Sequence, residues 1–251
     1  MASEARIVVQ DLGDGIACLT LNRAPVNALN PDFLQEFADH LDDLAKDGTV
    51  KAVVVNSASK VFSAGLDLKE AQGFDLTAQQ AIVRGLNVSF TKLFAFPKPT
   101  IAAISGAAIA GGLFFVLASD YRVCVPRAQF GLAEVRVGAD FPVGPLEIAR
   151  ASLGPNDLRR LMLGGQPVGA GAALAAGIVD AVVETADLKD AALKAALDYA
   201  RIPPKTFAAV KMQIRAGTIA VIEAAMASGA NAPADGWFNE ETKGAMAAMI
   251  G

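Results

Sequence analysis

Residues that usually bind metals or form disulfides are scarce in this sequence. It contains one histidine and two cysteines in 251 residues. These residues are too few and too scattered to supply the ligands of a zinc or similar metal site. Cys18 and Cys124 lie in apolar, strand-like runs, which is typical of buried free thiols in a reducing compartment. The sequence therefore predicts neither a metal centre nor a disulfide framework.

Basic residues are also sparse and dispersed. The chain carries 22 Lys and Arg against 26 Asp and Glu, a net charge of −4, and they form no basic run. This balance argues against nucleic acid as the main partner. Hydrophobic residues make up 53% of the chain and charged residues only 19%, so a large core is available. The apolar excess also favours subunit faces that are buried in a homo-oligomer.

Signals for export and for membrane insertion are weak. Residues 1–6 lack the basic and apolar segments of a signal peptide, which makes the cytoplasm the expected location. Residues 101–119 carry no charge and are long enough to cross a bilayer. They also contain three glycines and follow Pro97 and Pro99. We therefore expect them to form a strand, a loop and a buried helix, with no membrane partner.

Strand-like and helix-like patterns alternate along the first half of the chain, and helices dominate the second half. Residues 11–15 predict a hairpin turn, and Asn30 with Pro31 predicts the start of a helix. The predicted strands are 6–9, 15–21, 51–56, 100–104, 121–125, 129–131 and 179–183. The predicted helices are one from Pro31, then 77–94, 111–119, 143–152, 156–163, 170–175, 188–200, 203–216, 218–227 and 235–249. The repeated strand, strand, helix order predicts parallel strands joined by crossovers.

Two loops of small residues each follow a predicted strand. Residues 61–69 follow the strand at 51–56, and residues 105–112 follow the strand at 100–104. Glycines in these loops let the backbone turn sharply and lie open to a ligand. One backbone N–H group from each loop could converge on a carbonyl oxygen and form an oxyanion hole. The sequence thus predicts a site for a carbonyl compound.

Seven segments of the chain form a pattern through their order and spacing. They are Pro25-Val-Asn-Ala-Leu29, Phe62-Ser-Ala-Gly-Leu-Asp67, Lys98-Pro-Thr-Ile-Ala-Ala-Ile-Ser-Gly106, Ala110-Gly-Gly112, Asp120-Tyr-Arg122, Gln129-Phe-Gly-Leu-Ala-Glu-Val-Arg-Val-Gly138 and Ala173-Leu-Ala-Ala-Gly-Ile-Val-Asp180. Together they resemble the enoyl-CoA hydratase/isomerase (crotonase) superfamily, over about residues 6–249. The resemblance implies an α/β, ClpP-like spiral of ββα turns at residues 1–200, with the acyl-CoA site. It also implies a C-terminal α-helical trimerisation region at residues 201–251, giving a homotrimer or a dimer of trimers.

The resemblance also implies where an acyl-CoA thioester binds. The N–H groups of Leu66 and Gly111 correspond to the family's oxyanion hole. Coenzyme A enters as part of the substrate, so no separate cofactor is implied. The positions implied to bind the substrate are Val26, Ala28, Ala64, Gly65, Asp67, Leu68, Gly112, Phe114, Asp140 and Phe141. For Asp67, a capping role at its turn is an equal alternative.

The resemblance implies Glu134 as the proton-transfer group. Hydratases of the superfamily use two glutamates, and here Phe114 occupies the first of those positions. A single carboxylate beside an apolar wall suits proton transfer from C2 to C4 of one substrate, as in Δ3,Δ2-enoyl-CoA isomerases. Burial next to Phe114 is expected to raise the pKa of Glu134. Two alternatives stay open. Glu134 could form a salt bridge with Arg136 in place of a catalytic role, and Asp140 is a weak candidate for a second acid.

Two other functions remain open at the level of sequence, and one more is disfavoured. A hydratase, or a carnitinyl-CoA or aromatic acyl-CoA enzyme of the superfamily, would require a second acid, for which Asp140 is the candidate. A catalytically silent acyl-CoA binder would keep the loops but use no base. A nicotinamide-dependent oxidoreductase is disfavoured, because the glycine-rich segments lack the spacing of the dinucleotide-binding fingerprint.

Overall fold

The structure, a computed structural model, describes the backbone of residues 5–250 and the side chains of residues 5–248. Residues 1–4, on which most of the signal-peptide expectation rests, and Gly251, the end of the predicted helical region, lie outside the described residues. The strands are β1 (Ile7–Asp11), β2 (Ile16–Leu21), β3 (Ala52–Ser57), β4 (Thr100–Ile104), β5 (Ala108–Ile109), β6 (Tyr121–Cys124), β7 (Gln129–Gly131), β8 (Val168–Gly169) and β9 (Ala181–Val182). The helices are α1 (Pro31–Lys46), α2 (Leu68–Ala71), α3 (Leu76–Phe94), α4 (Phe114–Leu117), α5 (Val143–Ser152), α6 (Pro155–Gly164), α7 (Ala170–Ala175), α8 (Leu188–Ala200), α9 (Pro204–Ala225) and α10 (Glu240–Ile250).

The main sheet has the strand order β1-β2-β3-β4-β6-β9. β1 and β2 pair antiparallel around the turn that contains Gly13 and Gly15, which confirms the predicted hairpin. Every later pair in this sheet is parallel, from β2 with β3 to β6 with β9. The predicted crossovers are therefore confirmed. A small second sheet has the order β5-β7-β8, of which β5 and β8 were not expected from the sequence.

The first crossover helix forms as the sequence predicts. The side chain of Asn30 accepts a hydrogen bond from the N–H group of Phe33 at 2.9 Å, and Pro31 begins α1. The Asn30 cap satisfies one of the N–H groups that a helix start leaves without a partner. The helical spacing of Leu34, Phe37, Leu41 and Leu44 predicts one apolar face, and all four are buried, as is Phe33.

An aromatic cluster fills the core behind the predicted loops. The ring of Phe115 makes edge-to-face contacts at centroid distances of 4.9 to 6.5 Å, with Phe33, Phe37, Phe62 and Phe90. Such pairs are the favoured aromatic geometry and contribute about 0.5–1.5 kcal/mol each beyond burial. Because Phe62 lies at the start of one predicted loop and Phe115 follows the other, this cluster fixes both loops on the same core.

Several predicted helix bounds are wrong. The segment 203–227, predicted as two helices, contains the single helix α9, followed by a π-helical turn at Met226–Ala230. The segment 111–119 forms a 3₁₀ turn at Ala110–Leu113 and then the one-turn α4. The last helix begins at Glu240, so residues 235–239 run irregularly instead of forming its predicted start.

A buried ionic cluster attaches α9 to the sheet. Asp120, which precedes β6, accepts from Lys211 Nζ at 2.7 Å and pairs with Arg215 at 3.0 Å. All three side chains are at most 12% exposed. Burial lowers the pKa of Lys211 to about 8, although the negative charge of Asp120 acts in the opposite direction.

Among the described residues, no helix combines the length and the apolar character that crossing a bilayer requires. The uncharged segment at residues 101–119 instead forms β4, β5, the 3₁₀ turn and α4, as the sequence predicts in outline.

Candidate active site

Two loops run side by side at the carboxyl ends of β3 and β4. The N–H groups of Phe62 and Ser63 donate to the carbonyl oxygen of Ala107 at 2.9 and 3.1 Å, and Ile109 N–H donates to Ser63 O at 3.0 Å. These bonds continue the parallel pairing of the two strands into the loops. The two segments that the sequence singled out are therefore in direct contact.

The loops approach each other closely at Gly65 and Gly112. A Cβ built on Gly112 would lie 2.5 Å from the carbonyl oxygen of Ser63, so no side chain fits there. Gly65 has φ of +82°, and the following loop carries Ala110 at φ of +50°. A positive φ is uncommon for an alanine and costs about 1–2 kcal/mol. Such strain is often found at functional sites, and here it sets the orientation of the Gly111 amide.

Leu66 and Gly111, whose backbone N–H groups the resemblance implied as donors, both line one cavity. Within the described residues neither N–H group has a hydrogen-bond acceptor, while their neighbours Asp67 N–H and Leu29 N–H are bonded to Leu29 O and Gly65 O. The pair therefore has the free donors that an oxyanion hole needs. The dipole of the short 3₁₀ turn at Gly111 is smaller than that of the helix start that the sequence predicted.

Asn27 is a positioning residue that the sequence did not single out, although its motif was recognised. It is fully buried with φ of +47°. Its side chain donates to Phe62 O at 2.9 Å, and its carbonyl accepts from Ser63 Oγ at 2.8 Å. These bonds clamp the loop at 62–67 from the side opposite β5. Asparagine adopts a positive φ more readily than most other residues, so its presence in the motif is a sequence signal for a tight turn at this position.

The cavity beside the two amides has a volume of about 140 Å³. Its lining is almost wholly apolar, and Glu134 is the only ionisable side chain among the described lining residues. The lining residues are Ala64, Leu66, Leu68, Leu86, Ile109, Ala110, Gly111, Phe114, Ala133, Glu134, Val137, Ala139, Pro142, Pro145 and Trp237. The cavity thus combines two free donors, one carboxyl group and an apolar wall.

Glu134 begins a 3₁₀ turn, Glu134–Val137, and its side chain is buried. Within the described residues its Oε2 atom has no hydrogen-bond partner. Desolvation raises the pKa of Glu134 to about 8, against a smaller lowering by its own backbone N–H group. The expected rise is therefore confirmed. The alternative of a salt bridge is wrong, because Arg136 donates instead to the carbonyl oxygens of Gly164 and Gly165 at 2.7 to 3.1 Å.

The other predicted acid lies away from this carboxyl group. Asp140 is exposed, and its Oδ1 atom accepts from the indole N–H of Trp237 at 2.9 Å. It lines a neighbouring cavity, as does Phe141, whose ring lies 6.5 Å from that of Phe114. The structure therefore does not bring Asp140 together with Glu134. Phe114 does line the central cavity, as the sequence implied.

The positions implied to bind coenzyme A lie on two neighbouring loops, 26–28 and 64–68, and Ala64 and Leu68 among them also line the central cavity. Ala64 is exposed, and its N–H group donates to Val26 O at 3.0 Å, so Val26 and Ala28 lie beside it on the neighbouring loop. Asp67 caps α2 through the Glu70 N–H group and pairs with Arg23 at 2.8 Å. This is the capping alternative for Asp67. Leu68 borders the cavity, whereas Gly112 is buried against Ser63 and does not.

Trp237 is a lining residue whose position the sequence did not fix. It lies about a hundred residues beyond Glu134 and reaches the cavity only through the irregular segment before α10. From the sequence alone, this single tryptophan could pack against a neighbouring subunit or cover the coenzyme A site. Only the folded structure shows that it borders the cavity.

A family model described as enoyl-CoA hydratase/isomerase matches residues 11–238. Among curated proteins, the chain is 34% identical over 202 residues to a probable enoyl-CoA hydratase of Mycobacterium tuberculosis, EchA17, covering 80% of this chain and 77% of that protein.

Solved structures of an enoyl-CoA isomerase and of a probable enoyl-CoA hydratase are similar to this chain over most of its length. Human mitochondrial Δ3-Δ2-enoyl-CoA isomerase superimposes with a TM-score of 0.89 at 26% identity, over 98% of this chain and 97% of that one. A probable enoyl-CoA hydratase of M. tuberculosis, EchA3, gives a TM-score of 0.83 at 28% identity, over 89% and 95%. These similarities confirm the α/β fold with a helical C-terminal region that the resemblance implied.

Proposed function

Because the chain belongs to the enoyl-CoA hydratase/isomerase family, we propose that it is an enoyl-CoA isomerase that converts a 3-enoyl-CoA into the 2-trans-enoyl-CoA. One observation carries this proposal: Glu134 is the only ionisable side chain lining the cavity among the described residues, and it lies with two free backbone donors. One carboxyl group and an oxyanion hole are what a double-bond shift requires.

The two amides act on the thioester oxygen. Removal of a proton from C2 of a 3-enoyl thioester moves negative charge onto this oxygen, which gives a dienolate. Donors fixed in advance by the loop contacts and by the Asn27 clamp stabilise that charge without reorganisation. Loss of one such donor typically costs 10²–10³-fold in rate, so the pair at Leu66 and Gly111 is a large part of the proposed catalysis.

Glu134 transfers the proton within the substrate. The carboxylate takes the proton from C2, and the resulting acid returns it to C4 as the double bond moves to C2–C3. No atom is gained or lost, so no water and no second acid are needed. With a pKa of about 8, Glu134 is a stronger base than an ordinary glutamate, and its pKa lies closer to that of the weakly acidic C–H group. The missing partner of Oε2 leaves that atom free for the substrate.

The apolar wall supports isomerisation over hydration. Addition of water across a double bond needs groups that hold a water molecule and split it, and Phe114 supplies none. The second predicted acid, Asp140, is engaged by Trp237 and borders another cavity.

An acyl-CoA thioester is the proposed small-molecule partner, and a trimer or a dimer of trimers the proposed assembly. Ala64, Asp67 and Leu68, with Val26 and Ala28 on the neighbouring loop, are proposed to face the coenzyme A portion. Support for assembly comes from exposed apolar side chains on one helix, α9, which are Val210, Met212, Ile214 and Val221. A surface of this kind is typical of a subunit contact.

Hydration is the second candidate, because the M. tuberculosis relative EchA17 is named a probable hydratase. A direct test offers the wild-type enzyme 3-hexenoyl-CoA and crotonyl-CoA under the same conditions. We expect conversion of the first to the 2-trans isomer and a hydration rate for the second that is at least 100-fold lower. Rapid hydration of crotonyl-CoA would support the hydratase. Binding without turnover of either would support a silent binder.

A further inference from the structure

We propose that Trp237 closes the distal end of the acyl pocket and restricts the substrate to thioesters with acyl chains of about six carbons. This inference rests on the proposed function for the presence of an acyl-CoA, and on the structure for the length limit.

The size of the central cavity sets the first limit. An apolar cavity of about 150 Å³ holds a ligand of the size of benzene, with six carbons. The cavity beside Glu134 measures about 140 Å³, and its apolar lining suits a linear hydrocarbon. A longer chain would therefore need a way out of this cavity.

The indole of Trp237 is held firmly in its place. Its Nε1–H group donates to Asp140 Oδ1 at 2.9 Å, and its backbone N–H group donates to Gln79 Oε1 at 2.9 Å. The next residue, Phe238, also donates to Gln79 Oε1, and its ring stacks on Phe74 at 6.3 Å. The segment that carries the indole is thus held by Gln79 on α3, by Asp140 and by Phe74, so Trp237 forms a wall of defined position.

A second, larger cavity lies on the other side of this wall. It has a volume of about 510 Å³ and shares Trp237 and Ala139 with the first cavity. It is open to solvent, and its lining combines the apolar residues Phe141, Leu146 and Met162 with the polar residues Asp140, Asn239 and Glu241.

The position of the second cavity relative to loops 26–28 and 64–68 identifies the ligand group that would occupy the cavity. None of the described residues that line it comes from loops 26–28 or 64–68, which face the proposed coenzyme A side. The second cavity therefore continues the acyl end of the site, and the occupant that fits it is the distal part of a longer acyl chain. In the wild-type protein Trp237 separates that space from the catalytic cavity.

The single tryptophan gives a direct measurement on the wild-type protein. We would titrate it with free CoA and with saturated butanoyl-, hexanoyl-, octanoyl- and decanoyl-CoA, following Trp237 emission and, in parallel, the heat of binding. Saturated thioesters bind without reacting, so the result does not depend on isomerase activity. We expect hexanoyl-CoA to change the emission, free CoA to leave it unchanged, and the affinity to stop rising beyond six carbons.

The same calorimetric series on Trp237→Ala tests the wall. Opening the second cavity should restore a gain of about fourfold in affinity for each methylene buried, so decanoyl-CoA should bind at least 30-fold more tightly than it binds wild type. Trp237→Phe keeps an aromatic ring at the wall and should keep the cutoff.

Two results would overturn the inference. One is a wild-type affinity that keeps rising fourfold per methylene from six to ten carbons, and the other is an unchanged cutoff in a folded Trp237→Ala protein. A length cutoff without isomerase activity would contradict the proposed function alone. Failure to bind any acyl-CoA would contradict both.

Discussion

Gly65 lies so close to Ala110 that a Cβ built on Gly65 would stand 2.8 Å from the Ala110 Cβ and 2.9 Å from the Ile109 carbonyl oxygen. Both residues have a positive φ, +82° and +50°. Each precedes one of the two free amides, Leu66 and Gly111. The spacing of the proposed oxyanion hole therefore depends on direct backbone contact at this point.

Gly65→Ala should abolish most of the activity. The new methyl group meets Ala110 and the backbone at Ile109, and the positive φ is strained for any residue with a Cβ. The two loops must separate, which moves both donors, so kcat/KM should fall at least 100-fold.

The matched control is Gly73→Ala, whose Cβ would meet only Glu70 O at 3.5 Å, an ordinary contact. Its kcat/KM should stay within threefold of wild type. Activity of Gly65→Ala within tenfold of wild type would contradict the proposed contact.

The pH dependence of kcat/KM should report the Glu134 carboxyl group. Its carboxylate form is the base, and burial raises its pKa to about 8. We therefore expect kcat/KM to rise about tenfold per pH unit below pH 8 and to level off above it. Lys211 also has a pKa of about 8, but it belongs to the ionic cluster between α9 and Asp120 and does not line the cavity. The Lys211→Met variant should therefore keep the same ascending limb of the pH profile. A flat profile between pH 6 and 9 would argue against Glu134 as the base.

Glu134→Gln should stabilise the fold at alkaline pH. Since the folded pKa of about 8 lies above the ordinary value of 4.5, the folded state binds more protons than the unfolded state between these two values. The free energy of unfolding of the wild-type protein therefore falls as the pH rises from 4.5 to 8. The Glu134→Gln variant has no carboxyl group at this position and does not lose this stability. Urea unfolding should show the variant to be more stable by a few kcal/mol above pH 8, with little difference near pH 4.5. An equal difference at both pH values would contradict a raised pKa.

The buried ionic cluster should dominate the attachment of α9. Asp120→Ala leaves the buried charges of Lys211 and Arg215 without their carboxylate, a change that typically costs about 3–5 kcal/mol. Asp198→Ala is the control, because its pair with Arg201 is exposed and should cost less than about 0.5 kcal/mol. Urea unfolding at one protein concentration measures both. A loss below 1 kcal/mol for Asp120→Ala would contradict the structural role of the cluster.

Local patterns were sufficient for most elements and for the two loops of the site, whereas the resemblance implied Glu134. The Asn30 cap, the apolar face of α1 and the loop glycines are short-range signals, and each appears in the structure as expected. The raised pKa of Glu134 was expected from burial beside Phe114, which lines the same cavity. These features depend on residues whose partners are close in sequence or whose chemistry limits the choice.

Features that depend on distant partners could not be predicted. The predicted helices 203–216 and 218–227 are separated at Gly217, but α9 continues through this residue. An exposed glycine costs a helix only about 1 kcal/mol, which packing on α3 and α5 and the ionic cluster offset. The bond between Trp237 and Asp140 spans 97 positions, and nothing local in the sequence marks it.

The most direct test of the central claim compares wild type with Glu134→Gln on 3-hexenoyl-CoA, with the affinity for saturated hexanoyl-CoA measured on both. Gln keeps the shape of the side chain and removes the base. If Glu134 transfers the proton, the variant should lose about 10³-fold in kcat while its affinity for hexanoyl-CoA changes less than threefold. Isomerisation by the variant within tenfold of wild type would show that another group moves the proton, and would contradict the single-carboxylate mechanism.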